Sequence, residues 1–454
     1  MLLEPGADWI WLGALCNAGS AAAFWATRAQ MSRPLRLSAT GIVVVYLINY
    51  PLQAFLVDWL YHSESFHALW REFSLVRLNG SIEARADVFY RITAIFSLLC
   101  GVIIGFAGRS TAPAVLAQPR AAEGGSQPLW MLLAAGASVA TMGLLIQLTF
   151  GVGSLSSEAV FAGRLDGVLY HMLVTLVPLL FMAVHWEAMR QGQTALARTS
   201  LAAYVVLALA EMSMMSSRGF IVLQMLPLLL LYLWMGRRLR GLAWLGALTV
   251  ALTVLLYPVM TSIRNLRANS GYGAADSIVM ALASPEESRS VAADVARIAA
   301  RFIGYTSYLT SLEHPDDRFD WDELSLEKVV TLRENGFTRW FTEQVAGYGR
   351  GIRRHFSSPG LLGAAQVLGG PWLVVLMPPL LALLTMAAIS ALERRPTRLG
   401  PLVPVNLLAS LLFLMEEGVF DLILTRLVLA GIALLILNWV FRLTVPDQEV
   451  RYAV

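Results

Sequence analysis

The sequence predicts an all-α polytopic membrane protein with about eleven transmembrane helices. Of its 454 residues, 57% are hydrophobic, and the mean hydropathy is +0.62. Only 14% are charged, against roughly 25% in ordinary soluble domains, which is too little charge for a soluble surface. The surplus apolar residues must therefore face lipid. The same figures exclude a nucleic-acid-binding protein, a disulfide-rich secreted protein and a disordered chain.

The individual spans follow from hydropathy, because a helix needs about 20 apolar residues to cross the hydrocarbon core. We place them at residues 9–27, 38–60, 88–107, 129–150, 167–185, 199–217, 219–236, 241–262, 371–392, 400–415 and 419–441. The uncharged stretch 360–392 is too long for one span at about 1.5 Å per residue, and Gly369, Gly370 and Pro371 interrupt it. It predicts a short helix at the outer surface or re-entering the membrane, then a break, then a span.

The arginines predict the orientation of these spans. With the N-terminus outside and the C-terminus inside, the cytoplasmic segments hold fifteen basic and five acidic residues, and the rest of the chain is predominantly acidic. This distribution satisfies the positive-inside rule. The chain then divides into spans one to eight (residues 1–262), a large extracytoplasmic loop (263–358) and spans nine to eleven (359–454).

The large loop is predicted to be helical. Val291, Val295, Ile298 and Phe302 recur at helical spacing between charged residues, which indicates an amphipathic helix. Two further helical patterns cover residues 325–333 and 337–345.

The first candidate site residues are Glu211 and Arg218. A charge inside a span is costly and usually functional, and the two residues lie seven apart, so a continuous helix would project both from one face. Arg218 belongs to a short Ser-Ser-Arg-Gly turn between two spans. A structural ion pair, or an arginine that reaches the membrane surface, remains an open alternative.

Further candidates lie where the large loop leaves and re-enters the membrane, and near the turn that joins the last two spans. Two guanidinium groups one turn apart suit a diphosphate, since arginine binds phosphate oxygens in a bidentate fork; contact with lipid headgroups is the alternative. Acidic residues beside such a site could supply a general base, although structural pairing is equally open. The residues of this group are Arg264, Arg267 and Tyr272, then Arg353, Arg354 and His355, and finally Glu417, Asp421 and Arg426.

Other chemistries lack their sequence motifs. The six histidines and two cysteines are scattered, and we find no HExxH, P-loop, Gly-rich nucleotide fingerprint or GxSxG elbow. We therefore expect no metal and no cofactor.

The chain resembles the O-antigen polymerase (Wzy-type) group, with the related O-antigen ligases next. The resemblance rests on the number of spans, the Ser-Arg-Gly turn, the arginines that open the outer loop and the large helical loop. The resemblance covers most of the chain in architecture, but its motifs are short. One departure is that no arginine between 261 and 357 is followed eleven residues later by glycine. The histidine expected of the ligases has no firm counterpart; His314 and His355 are the two candidates.

This resemblance implies a GT-C-like polymerase or ligase architecture in a bacterial inner membrane, with the active site facing the periplasm. It implies metal-independent, inverting transfer of a growing glycan from undecaprenyl diphosphate to an incoming lipid-linked repeat unit. The implied partners are that lipid-linked oligosaccharide, membrane lipid and a chain-length regulator protein.

Three alternatives stay open. A ligase would transfer the finished glycan to lipid A core. A transporter or flippase would use ionisable residues near the bilayer midplane, for which Glu211 is the clearest candidate. A structural assembly subunit is the third.

Overall fold

A computed structural model of the protein is almost entirely helical in the part of the chain that it describes. It describes residues 8–55, 82–107, 127–150, 168–169, 171–215, 220–235, scattered positions between 244 and 266, 274–283, 304–313, 319, 337–345, 360–394, 399–418 and 420–444. Seven of the described helices are long and apolar enough to cross a membrane. The protein is therefore an all-α membrane protein, and the count of eleven spans stays a prediction.

Ten of the eleven predicted segments are helical in the structure, and segment 241–262 is described only at scattered positions. In chain order the helices are α1 (Asp8–Thr27), α2 (Arg33–Leu47), α3 (Ile82–Ile104), α4 (Gln127–Phe150), α5 (Val177–Arg190), α6 (Thr194–Met215), α7 (Phe220–Met235), α8 (Ala274–Ala283), α9 (Gly304–Glu313), α10 (Phe337–Trp340), α11 (Gly360–Gly369), α12 (Pro371–Arg394), α13 (Leu402–Glu417) and α14 (Phe420–Thr444). Wider π-type turns extend α2 over Ile48–Leu52, precede α5 over Met172–Leu176 and follow α10 over Phe341–Val345.

The chain divides into two compact units. The first contains residues 1–114, 295–395 and 407–425, and the second contains residues 115–294, 396–406 and 426–454. The predicted large loop is divided as well, because α8 belongs to the second unit whereas α9 and α10 belong to the first. The predicted helices around Val291 and over residues 325–333 lie outside the described residues.

In the first unit, small and polar residues bring α1 and α3 together. The Asn17 amide donates a hydrogen bond to Thr93 Oγ1 at 3.0 Å, and the hydroxyls of Ser20 and Ser97 are 2.8 Å apart. Helix α2 begins at a Ser32 cap whose hydroxyl accepts the Leu35 N–H. These side-chain bonds between and at the ends of helices fix the packing where lipid gives no hydrophobic drive for association.

Helix α11 confirms the predicted short helix and break. It ends at Gly369, and α12 starts at Pro371. Every residue from Gly360 to Leu368 is buried, and α11 packs against α9 and α12. Its small residues, Gly363 among them, let it sit inside the first unit with the Ser307 backbone in contact. Whether this helix lies at the outer membrane surface or re-enters the membrane stays a prediction.

The predicted helical pattern at residues 337–345 is also confirmed. Its aromatic side chains form a cluster, with Phe319 meeting Phe337 edge-on at 5.1 Å between ring centroids. The Phe319 N–H donates to the Val367 carbonyl at 3.2 Å. The cluster thereby joins α10 to α11 within the first unit.

In the second unit, α4, α5 and α6 pack against one another, and α7 packs against α6. Gly136 and Gly143 on α4 face large side chains, and a Cβ on Gly143 would meet Leu173 at 2.6 Å. The Gln224 amide donates to the Val174 carbonyl at 3.0 Å. This close packing of α4 beside α5 and α6 determines which residues surround Glu211.

Candidate functional site

Glu211 is the predicted site residue whose side chain the structure describes in full. It lies on α6 in the second unit and is 1% exposed. One carboxylate oxygen accepts a hydrogen bond from Gln147 Nε2 at 3.4 Å. The other, Oε1, has no hydrogen-bond partner among the described residues, so a buried carboxylate retains one oxygen that can accept a proton or a donor.

Gln147 is the described partner of Glu211, and sequence analysis missed it. It is fully buried on α4, and its own Oε1 also lacks a hydrogen-bond partner within the described ranges. An uncharged glutamine does not interrupt an apolar span, so hydropathy and charge counting passed over it. The sequence signal that could have found it is the one amide side chain in the uncharged run from Leu129 to Phe150.

Glu211 and Gln147 lie close to the C-terminal ends of their helices. Glu211 is four residues before the end of α6 at Met215, which corresponds to about 6 Å along the axis, and Gln147 is about 4.5 Å before the end of α4. Glu211 is therefore nearer a helix end than the middle of the span. Four residues, 216–219, separate the end of α6 from the start of α7.

The remaining predicted site residues fall into two groups. Glu417 is the last residue of α13, and Arg426 lies on α14 together with Asp421. The others lie outside the described residues: Arg218, Arg264, Arg267, Tyr272, Arg353, Arg354 and His355.

The chain around Glu417 is held by a contact between glycines in the first unit. Gly418 follows Glu417 with φ of +64°, and a Cβ on Gly418 would collide with the Gly360 backbone. Tyr50 joins the same contact, because its hydroxyl accepts the Leu362 N–H at 3.1 Å and donates to the Met415 carbonyl at 3.5 Å. The end of α13 is thus fixed against the start of α11.

A second polar group, also missed from the sequence, lies in the first unit. Asp87 and Arg91 form an ion pair one turn apart on α3, with 2.5 Å between Oδ2 and an Nη atom. The Arg91 guanidinium lies beside the hydroxyl of Tyr308 on α9, and Tyr308 interacts with Tyr46 on α2. We call these four residues the tyrosine cluster. Its sequence signal is the i, i+4 acid–arginine pair, which we passed over because charge is ordinary at the edge of a span.

Within the described ranges, no three His, Cys, Asp or Glu side chains come together as a metal site would require. The expectation of metal-independent chemistry remains a prediction.

Comparison with known proteins adds no family assignment. No protein-family model, curated protein or solved structure matches this chain.

Proposed function

We propose that the protein is a polymerase of lipid-linked oligosaccharide repeat units. It transfers a growing glycan from undecaprenyl diphosphate to the non-reducing end of an incoming lipid-linked repeat unit, at the outer face of a bacterial inner membrane. The observation that supports this most directly is Glu211, a buried carboxylate near the helix end that precedes the Ser-Ser-Arg-Gly sequence. One of its oxygens has no hydrogen-bond partner among the described residues.

Chain connectivity supports a role for Arg218 beside Glu211. Arg218 is three residues beyond Met215 and two before Phe220, and a residue spans at most about 3.6 Å. We therefore assign Arg218 to the same end of the α6 span as Glu211 as part of this proposal. The arginine bias assigns this end to the outer face.

The chemistry needs two things that these residues can supply. The leaving group is a lipid diphosphate, so fixed cations at the leaflet stabilise the charge that develops as it departs. Arg218, Arg264 and Arg267 are the arginines we assign to that role. A carboxylate or imidazole must also take the proton of the acceptor hydroxyl, and Glu211 is our first choice, with His355 and Glu417 as the others.

The test compares three variants in cells that make the polymer, with polymer length and membrane abundance measured together. Arg218→Ala is expected to abolish polymer at normal abundance. Glu211→Gln keeps an oxygen that accepts a hydrogen bond from Gln147 but can no longer take up a proton. If Glu211 is the base, this variant is expected to lose nearly as much polymer as Arg218→Ala. Arg198→Ala is the matched control, because Arg198 is an exposed arginine on the same helix near its other end.

Several results would contradict the proposal. A normal polymer ladder from Arg218→Ala at normal abundance removes Arg218 from the site. Loss of both Arg218→Ala and Glu211→Gln protein from the membrane favours a structural ion pair. Intact polymer length, with lipid-linked repeat units accumulating on the cytoplasmic side, would indicate a flippase instead.

A second experiment addresses Gln147. Gln147→Leu would leave the Glu211 carboxyl group without its described partner, and leaving a buried polar group unsatisfied costs about 1–3 kcal/mol. We expect lower thermal stability of the purified protein than for Glu211→Gln. A Gln147→Leu variant as stable as the unmodified protein would show that the 3.4 Å bond contributes nothing.

A further inference from the structure

Helix α8, at the start of the predicted large loop, has an exposed apolar side. Ser277 and Ala281 lie one turn apart and are buried, and α8 contacts α4 within the second unit. Val279 and Leu282 are 63% and 65% exposed. At about 100° per residue they project from the side opposite Ser277 and Ala281. These two large side chains therefore touch whatever surrounds the protein at α8.

The sequence of α8 provides little polarity on this side. Residues 274–283 contain one acidic side chain, Asp276 in the first turn, and no basic one. From Ile278 to Ala283 every side chain is apolar. A helix whose outer side faced water would carry polar residues there. The composition of α8 therefore indicates apolar surroundings.

The neighbour of α8 is a membrane span. Helix α4 has 24 residues, so it is about 36 Å long, and the hydrocarbon core of a bilayer is about 30 Å thick. Little of α4 therefore extends beyond the hydrocarbon. Because α8 contacts α4, it lies in the membrane or at its edge, although the predicted loop that contains it is extracytoplasmic.

The exposed side of α8 is continuous with a lipid-facing surface. Met142 and Leu145 on α4 are 62% and 53% exposed, and lipid surrounds such side chains on a span. A protein partner fits the face less well, because a specific interface takes about 20–30 residues from each side. Helix α8 exposes three large apolar side chains, those of Val279, Met280 and Leu282. These observations favour lipid as the occupant.

We infer that α8 is an interfacial helix whose Val279 and Leu282 side chains insert among the acyl chains of zwitterionic phospholipids. With one acidic and no basic residue, α8 gains no attraction from anionic headgroups, so burial of its apolar side holds it in the bilayer. This anchors the start of the predicted large loop at the membrane. The inference goes beyond the proposed function, because it concerns lipid contact and holds equally for a polymerase, a ligase or a transporter.

The experiment measures the surroundings of α8 by fluorescence quenching. A cysteine replaces Val279 or Leu282 in the full-length protein with Cys16→Ala, because Cys16 is exposed whereas Cys100 is buried. Each cysteine is labelled with bimane, and the protein is reconstituted in phosphatidylcholine vesicles with or without bromine on the acyl chains. Brominated chains quench a fluorophore that touches lipid, and iodide quenches a fluorophore that touches water.

Both labels should behave as lipid-facing positions. Brominated lipid should quench them at least about half as strongly as Met142→Cys, the lipid-facing control on α4, because an interfacial helix buries its apolar side about 5–10 Å into the boundary between headgroups and acyl chains. Iodide should quench them less than Gln344→Cys, an exposed polar position in the first unit. Two positions on one side keep the test decisive if one variant fails to accumulate.

Two results would overturn the inference. Strong quenching by iodide without an effect of brominated lipid would show that α8 faces water. Protection from both quenchers would show that protein covers this side, and a disulfide-linked dimer of the Val279→Cys protein would identify a second copy as that cover. None of these measurements uses polymer formation, so a failure here is distinct from a failure of the Arg218→Ala test.

Discussion

Two tyrosines on α2 allow a matched test of hydrogen bonding inside the first unit. Tyr46 and Tyr50 lie one turn apart and are both fully buried. The Tyr50 hydroxyl accepts the Leu362 N–H at 3.1 Å and donates to the Met415 carbonyl at 3.5 Å. The Tyr46 hydroxyl has no hydrogen-bond partner in the described part of the chain. Replacing each by phenylalanine removes the same atom from two different environments.

The expected difference follows from these contacts. Tyr50→Phe leaves the buried Leu362 N–H without its acceptor, which costs about 1–3 kcal/mol. The bond to Met415 is at the limit of hydrogen-bond length and adds little. Tyr46→Phe removes a hydroxyl that had no partner among the described residues. This variant should therefore be as stable as the unmodified protein, or more stable by up to about 1 kcal/mol. The two variants should therefore differ by roughly 2 kcal/mol.

A buried thiol in the same unit provides the assay. Cys100 is buried on α3, whereas Cys16 is exposed. In a Cys16→Ala background, a thiol-reactive fluorophore reports the temperature at which Cys100 becomes accessible. We expect Tyr50→Phe to lower this temperature by several degrees relative to Tyr46→Phe. Equal melting temperatures, or a larger loss in Tyr46→Phe, would refute the assignment of Tyr50 as the residue that joins α11 to α13.

Two further predictions concern the contact between Gly418 and Gly360 and the orientation of the chain in the membrane. Gly418→Ala combines a left-handed backbone with a collision against Gly360, so it should destabilise the protein by well over the roughly 1–2 kcal/mol of backbone strain alone. Gly192→Ala is the control, because Gly192 has a similar φ of +73° but open space around it, and it should lose only the strain energy. Equal melting temperatures of the two variants would contradict this. The second prediction tests the orientation with the N-terminus outside. A cysteine replacing the exposed Gln344 should react with membrane-impermeant thiol reagents added outside whole cells, and a cysteine replacing the exposed Arg198 should not. The reverse pattern would overturn this orientation. Val345 is a poor label site because it is buried.

The helices could be predicted from the sequence because hydropathy is a strong signal over 20 residues. The break between α11 and α12 was predictable for a similar reason, since Gly370 and Pro371 interrupt a long apolar run. The burial of α11 was not, because an apolar segment that faces lipid and one that faces protein have the same composition.

The polar contacts were predicted less completely. Glu211 was identifiable because a charge stands out in an apolar span, but its partner Gln147 lies 64 residues away and carries no charge. The approach of Gly360 to Gly418 depends on two turns meeting in space, and no pattern along the chain encodes such a meeting. The same limit hid Tyr308 beside Arg91, which lie on helices far apart in the sequence.

The position of Tyr50 has a consequence for how the protein is made. Its partners arrive late, because Met415 follows it by 365 residues and Leu362 by 312. At about 5–20 residues per second, α2 waits about 20–70 s in the membrane before Met415 is synthesised. A nascent chain arrested before residue 305 lacks all of these partners, including the Tyr305 N–H that the Gln53 amide oxygen later accepts. Quality control that recognises polar groups left without such partners in membrane helices would distinguish this chain from the finished protein.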